Sequence, residues 1–225
     1  MVKALEAIAG RMLSGIGENN AVALQLQSEV TRLRSRAEAL DNVRARRSPL
    51  DTPAAHALKV AKMARTFNSE ITATLNRAGQ IWSEGAKDVH RRIDEKVNLK
   101  ADEFASEIRT AYRALGGKAQ AELIGRLARE NRGPEMAAIV RAPSVLTGIS
   151  DEQKAIYEKM IVETHAPNEV EEAQALEEAF SAVQSATSAA GRLVKDMTDP
   201  ARLAAIESEA AAADEAGAAF QSSFQ

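Results

Sequence analysis

From residue 53 to residue 115 the sequence offers no proline inside a stretch whose apolar and small residues keep helical spacing, and no other feature restricts the fold so strongly. The stretch opens at Asp51, Thr52 and Pro53. There a threonine oxygen can cap the first free backbone N–H groups, and proline suits the first helical position because its missing donor would be unpaired anyway. Val60, Ala64, Phe67, Ile71, Thr74, Ala78, Ile81 and Gly85 then follow in steps of four and three, which puts them on one stripe of a helix. Val89, Ile93, Val97, Ala101, Phe104, Ile108, Ala111 and Leu115 continue the stripe, but their first steps are all fours, so the seam drifts around the helix. Gly79 and Gly85 each cost about 1 kcal/mol relative to alanine in a helix interior. One very long central helix over 53–115 is therefore expected, bent within 79–101 and ended by Gly116 and Gly117.

The kind of core follows from which apolar residues are used. Hydrophobic residues make up 45% of the 225, but 45 of the residues are alanine and only 4% are aromatic. Thin alanine-containing seams between helices are expected rather than a thick aromatic core. With no cysteine, disulfides and thiolate metal sites are excluded. No run of 18 apolar residues is present, so no transmembrane helix is expected. Glu6 and Arg11 interrupt the N-terminal apolar stretch, which argues against a secretory signal and for a cytoplasmic or intravirion location.

Residues 2–16 carry Val2, Leu5, Ala9, Met12 and Ile16 at helical spacing, a short amphipathic helix that would either pack on its own domain or lie on a membrane surface. The next helix, capped by Asn19 or Asn20, has an unbroken three-four seam of Ala23, Leu26, Val30, Leu33, Ala37 and Leu40. Arg32, Arg34, Arg36, Arg44, Arg46 and Arg47 lie on it or just after it. They form either a phosphate-contacting cluster for nucleic acid or a solvated face paired with Glu29, Glu38 and Asp41; no aromatic residues are interleaved for base stacking.

Beyond Gly117, a helix over Leu123, Ile124, Leu127 and Ala128 should stop at Asn131, Arg132, Gly133 and Pro134, with another turn or two to Val140. Residues 142–149 read as a linker and mark a change of charge. From 150 to 225 there are 15 acidic and five basic residues, a net of −10, which leaves the first 149 at +7 of the total −3. Three regions are expected: an N-terminal arm over 1–50 with the arginine cluster, a central helix with short helices over 51–141, and an acidic, alanine-rich region over 142–225. Ser150 and Gln153 have the form of a capping box. Two seamed helices meeting at Thr198, Asp199 and Pro200 read as an antiparallel hairpin.

Chemistry-bearing patterns are sparse. His56, His90 and His165 are far apart and show no metal-ligand spacing; His90 and Asp94, four apart, suggest a local hydrogen bond. No P-loop, dinucleotide fingerprint or nucleophile elbow is present, so neither a catalytic residue nor a cofactor is expected. The sequence reading is all-α, an elongated multi-helix bundle or coiled-coil-like assembly. Its function is read as non-enzymatic and structural, as a homo-oligomer or part of a larger particle, with Phe67, Ile71, Ile81, Val183, Phe220 and Phe224 as interface residues. Bacteriophage virion, scaffold and ejection components share this character, by analogy only. Nucleic-acid association through the arginines and peripheral membrane attachment through 2–16 are the alternatives.

Overall fold

A computed structural model describes Leu5, Ala7, Ile8, Gly10, residues 20–101 and residues 103–222. Every regular element among them is a helix. In chain order these are α1 (Ala21–Ala45), α2 (Pro53–Val97), α3 (Ala105–Ala114), α4 (Gly117–Arg129), α5 (Gly133–Val140), α6 (Ser144–Thr147), α7 (Asp151–His165), α8 (Pro167–Met197) and α9 (Pro200–Ser222). The chain divides into two compact units, one formed by Met1–Trp82 with Glu177–Gln225 and the other by Ser83–Leu176. The linker expected over 142–149 lies inside the second of these.

In the first unit, local sequence signals place the helix starts. Asn20 Oδ1 accepts from the Ala23 N–H at 2.9 Å to cap α1, Thr52 Oγ1 accepts from the Ala55 N–H at 3.1 Å before α2, and Asp199 Oδ1 accepts from the Ala201 N–H at 3.0 Å before α9. All six seam residues of α1 are buried, and so are Val60, Ala64, Phe67, Ile71, Thr74 and Ala78 of α2. The two helices are tied across the seam by Glu29, which is buried in α1 and accepts from Arg77 Nη2 at 3.1 Å. Val183, Thr187, Ala190, Val194 and Met197 of α8 are buried as well, and Trp82 stacks on Phe180 with ring centroids 5.1 Å apart. α8 and α9, joined through Thr198 and Asp199, make the hairpin-like C-terminal arrangement. Of the amphipathic stretch 2–16, only Leu5, Ala7, Ile8 and Gly10 fall within the described residues; Leu5 is fully buried.

In the second unit the most buried element is α5, in which Gly133 and every residue from Met136 to Val140 is buried. It contacts α3, α4 and α7. Around it, Ile124 and Leu127 of α4, Ile161 of α7, Val97, Leu99, Tyr112 and Ile149 close one apolar core. α4 ends in a Schellman motif: Asn131, in the left-handed region at φ 53°, donates its N–H to the Ala128 carbonyl, and the Arg132 N–H reaches the Leu127 carbonyl at 2.9 Å. Ser150 and Gln153 form the capping box of α7, with both reciprocal bonds present.

The long helix is real but ends sooner than its periodicity suggested. α2 runs unbroken for 45 residues, through Gly79 and Gly85, and stops at Val97 instead of Leu115. Asn98 takes a φ of 47°, which no helix residue can hold, and the Asn131 side-chain amide donates to the Lys96 carbonyl at 2.9 Å, satisfying one of the helix's free C-terminal acceptors. Residues 105–114 form the separate helix α3.

Candidate functional site

The six arginines divide into two sets. Arg32 Nη2 donates to Glu29 Oε2 at 2.7 Å and to the buried Thr74 hydroxyl at 3.3 Å; Arg34 pairs with Glu38 at 3.3 Å and Arg36 with Glu70 at 3.6 Å. Their charges are neutralised locally. Arg44, Arg46 and Arg47 are exposed and form no ion pair with an acidic side chain among the described residues. They sit where α1 ends, a position at which cations complement the partial negative charge of the helix terminus.

Two adjoining cavities open beside this second set. One, of about 310 Å³, is lined by Arg44 and Arg47 from the end of α1, by His56 and Val60 from the first turns of α2, and by Asp196, Met197, Asp199 and Leu203 from the junction of α8 and α9. The other, of about 550 Å³, shares Arg47 and His56 and adds Arg46, Asp51 and Lys59. Asp51 faces Lys59 at 3.7 Å, so that pair is partly self-neutralised. His56 Nε2 lies 3.2 Å from the Arg44 carbonyl oxygen, which fixes the ring against the end of α1. Val60, Met197 and Leu203 are buried and give the smaller cavity an apolar floor.

Position in α1 predicts the arginines but not their division, which depends on where Glu70 and Thr74 of α2 come to lie. Asp196 and Asp199 carry no site signal in the sequence, because nothing local to the α8–α9 junction indicates that it opens toward the end of α1.

The expected interface residues fall mostly into the protein's own interior. Phe67 and Ile71 are 5% and 7% exposed, and Val183 is fully buried. These stripes are covered by helices of the same chain, so the three residues are core positions in this structure. Ile81 is half-buried. Phe220 lies in α9 but its side chain is outside the description, and Phe224 lies outside the described residues.

α9 differs from the other long helices. The described part of its three-four seam goes from the buried Leu203 through the half-buried Ile206 and Ala210 to the exposed Ala213, and Ala211, Ala212, Ala216 and Ala218 beside it are exposed as well. Leu203 is the single buried residue among its described side chains.

Several other titratable groups bond within or between the chain's own helices. His90 Nδ1 lies 2.7 Å from the Ala86 carbonyl, not on Asp94, and His165 Nε2 lies 2.5 Å from the Ala128 carbonyl at the end of α4. In the second unit Lys96 Nζ donates to the buried Glu169 at 2.9 Å and Arg92 Nη2 to Glu172 at 2.7 Å, tying the end of α2 to the start of α8. The Lys96 hydrogen bond, reinforced by the nearby charges, holds the Glu169 carboxyl below its ordinary range. Asp88 is lowered too, chiefly by its hydrogen bond from Arg91. Among the described residues no group of three or more His, Cys, Asp or Glu side chains could hold a metal ion, and no helix is long and apolar enough to cross a membrane.

Comparison with protein-family models, with curated proteins and with solved structures finds no match to this chain.

Proposed function

We propose that this is a non-enzymatic assembly protein whose copies associate through the outer half of α9. The observation that supports this reading is α9, where Leu203 is covered by the protein's own helices while the described Ala211, Ala212, Ala213, Ala216 and Ala218 are exposed. Helices in proteins draw most of their stability from packing an apolar face, and small residues on that face let a second helix axis approach closely. Charge favours association between copies: the segment 150–225 carries a net of −10 and the segment 1–149 a net of +7, so the acidic helix of one copy is drawn to the basic part of another.

Light scattering coupled to size exclusion tests the reading on the full chain. The wild type should elute with a mass above that of one chain and dissociate in high salt. Ala213→Glu with Ala216→Glu, both at exposed positions, should leave helicity unchanged and reduce the mass to that of a single chain. A wild type that stays at single-chain mass at high concentration, or a double variant that assembles as the wild type does, would overturn it.

A further inference from the structure

The smaller cavity at the end of α1 presents charges of both signs that do not neutralise each other. Arg44 and Arg47 come from one segment and Asp196 and Asp199 from another, and among the described residues no ion pair joins any of the four to an oppositely charged side chain. Asp199 uses one oxygen to cap α9, and among the described side chains none is bonded to its other oxygen or to either oxygen of Asp196. By contrast, Arg32, Arg34 and Arg36 on the same helix are all paired.

We propose that this cavity binds a small molecule that carries a phosphate group at its arginine end and an amine or hydroxyl at its aspartate end. Two guanidinium forks beside a histidine match a group with three terminal oxygens, since arginine donates to phosphate bidentately. Carboxylates that only accept hydrogen bonds complement an ammonium or a hydroxyl. The buried Val60, Met197 and Leu203 suit a short hydrocarbon stem between the two ends. A volume of about 310 Å³ lies at the low end of the ~300–1,000 Å³ range of ligand pockets. A continuous polyanion fits this site poorly, because Asp196 and Asp199 would face its charges with charges of the same sign. The assignment does not rest on the assembly reading, and it uses none of the open alanines of α9.

Calorimetric titration of the full chain with phosphoethanolamine, inorganic phosphate and ethanolamine tests it. Phosphoethanolamine should bind more tightly than either fragment. Arg47→Gln should weaken both phosphate-bearing probes by about tenfold, the loss of one charge-assisted hydrogen bond. Asp196→Asn should weaken phosphoethanolamine by a similar factor and leave inorganic phosphate no weaker. Both residues are exposed, and circular dichroism would verify that the variants keep their fold. Flotation with vesicles containing phosphatidylethanolamine separates the two sources of the same chemistry: binding that soluble phosphoethanolamine displaces assigns a lipid headgroup, and vesicles left unbound assign a free metabolite. No detectable heat with phosphoethanolamine and phosphate at millimolar concentration would overturn the proposal. So would an Asp196→Asn variant that binds phosphoethanolamine as the wild type does. Binding of a single-stranded oligonucleotide that depends equally on Arg32, Arg34 and Arg36 and that phosphoethanolamine does not displace would replace it with a nucleic-acid surface.

Discussion

Gly133 and Val97 meet backbone to backbone: a Cβ built on Gly133 would lie 1.9 Å from the Val97 carbonyl oxygen and 2.7 Å from that of Asn98. The first turn of α5 is thus seated on the terminus of α2, with no room for any side chain at the contact. Gly133→Ala should destabilise the second unit by about 2–4 kcal/mol, because the atoms it strikes are backbone and cannot swing aside as a flexible side chain could. Urea denaturation followed by far-UV circular dichroism would show the loss as a lower midpoint. Gly117→Ala, where an added Cβ meets nothing within 4 Å, is the control expected to change little.

Glu29 is the polar tie of the α1–α2 seam. Its side chain is 11% exposed, and it accepts from Arg32 at 2.7 Å and from Arg77 at 3.1 Å, while both arginines also donate to Thr74. The arginines are about half exposed, so solvent screens much of the attraction. Glu29→Gln should therefore cost about 1–2 kcal/mol, less than breaking a fully buried pair, and the loss should shrink in molar salt. A double-mutant cycle with Arg77→Met isolates the pairing, and additive losses would show that Glu29 acts through packing alone.

The acid limb of stability should report on Glu169. Its folded pKa is depressed, so the ionised carboxylate is favoured by folding; its stabilising contribution is fully present above the unfolded value of about 4.5 and is lost as pH falls through the lower folded value. Stability should be insensitive to this group from neutral pH down to about pH 5 and should decline below that. Lys96→Met removes the principal cause of the depression. It should lower stability at neutral pH and flatten the decline in acid, as seen in thermal melts recorded across the range. A variant whose acid limb parallels that of the wild type would show that other lowered carboxyls, such as Asp88 and Glu135, carry the effect.

The helices and their starts were legible because they rest on local chemistry. Thr52 with Pro53, Ser150 with Gln153, and Asp199 with Pro200 each combine a side-chain acceptor with nearby free N–H groups, and the three-four spacing of α1 identifies every buried apolar residue on it, though not the buried Glu29. The end of α2 was not legible. Val97, Ala101 and Phe104 keep helical spacing through the break, and what stops the helix is the approach of Gly133 and the bond from Asn131, both more than 30 residues away. In sequence α5 looks like a minor extra turn, although it forms the centre of its unit; eight residues bounded by a turn give little periodicity from which to judge burial. The stripes that carry Phe67 and Ile71 on α2 and Val183 on α8 are legible as apolar, but a single sequence does not specify whether the covering helix comes from the same molecule. For the cavity, the arginines were visible and the aspartates were not, because the site is made by two junctions far apart in the chain.

The division of the chain at Trp82 and Glu177 sets an order of manufacture. All of Ser83–Leu176 is synthesised before the last third of the other unit, so the inner piece is complete while its host still lacks about two-thirds of α8 and all of α9. During that interval the α1–α2 pair lacks the outer part of α8, whose Phe180 stacks on Trp82. A released chain truncated at residue 176 should be the form most in need of a chaperone.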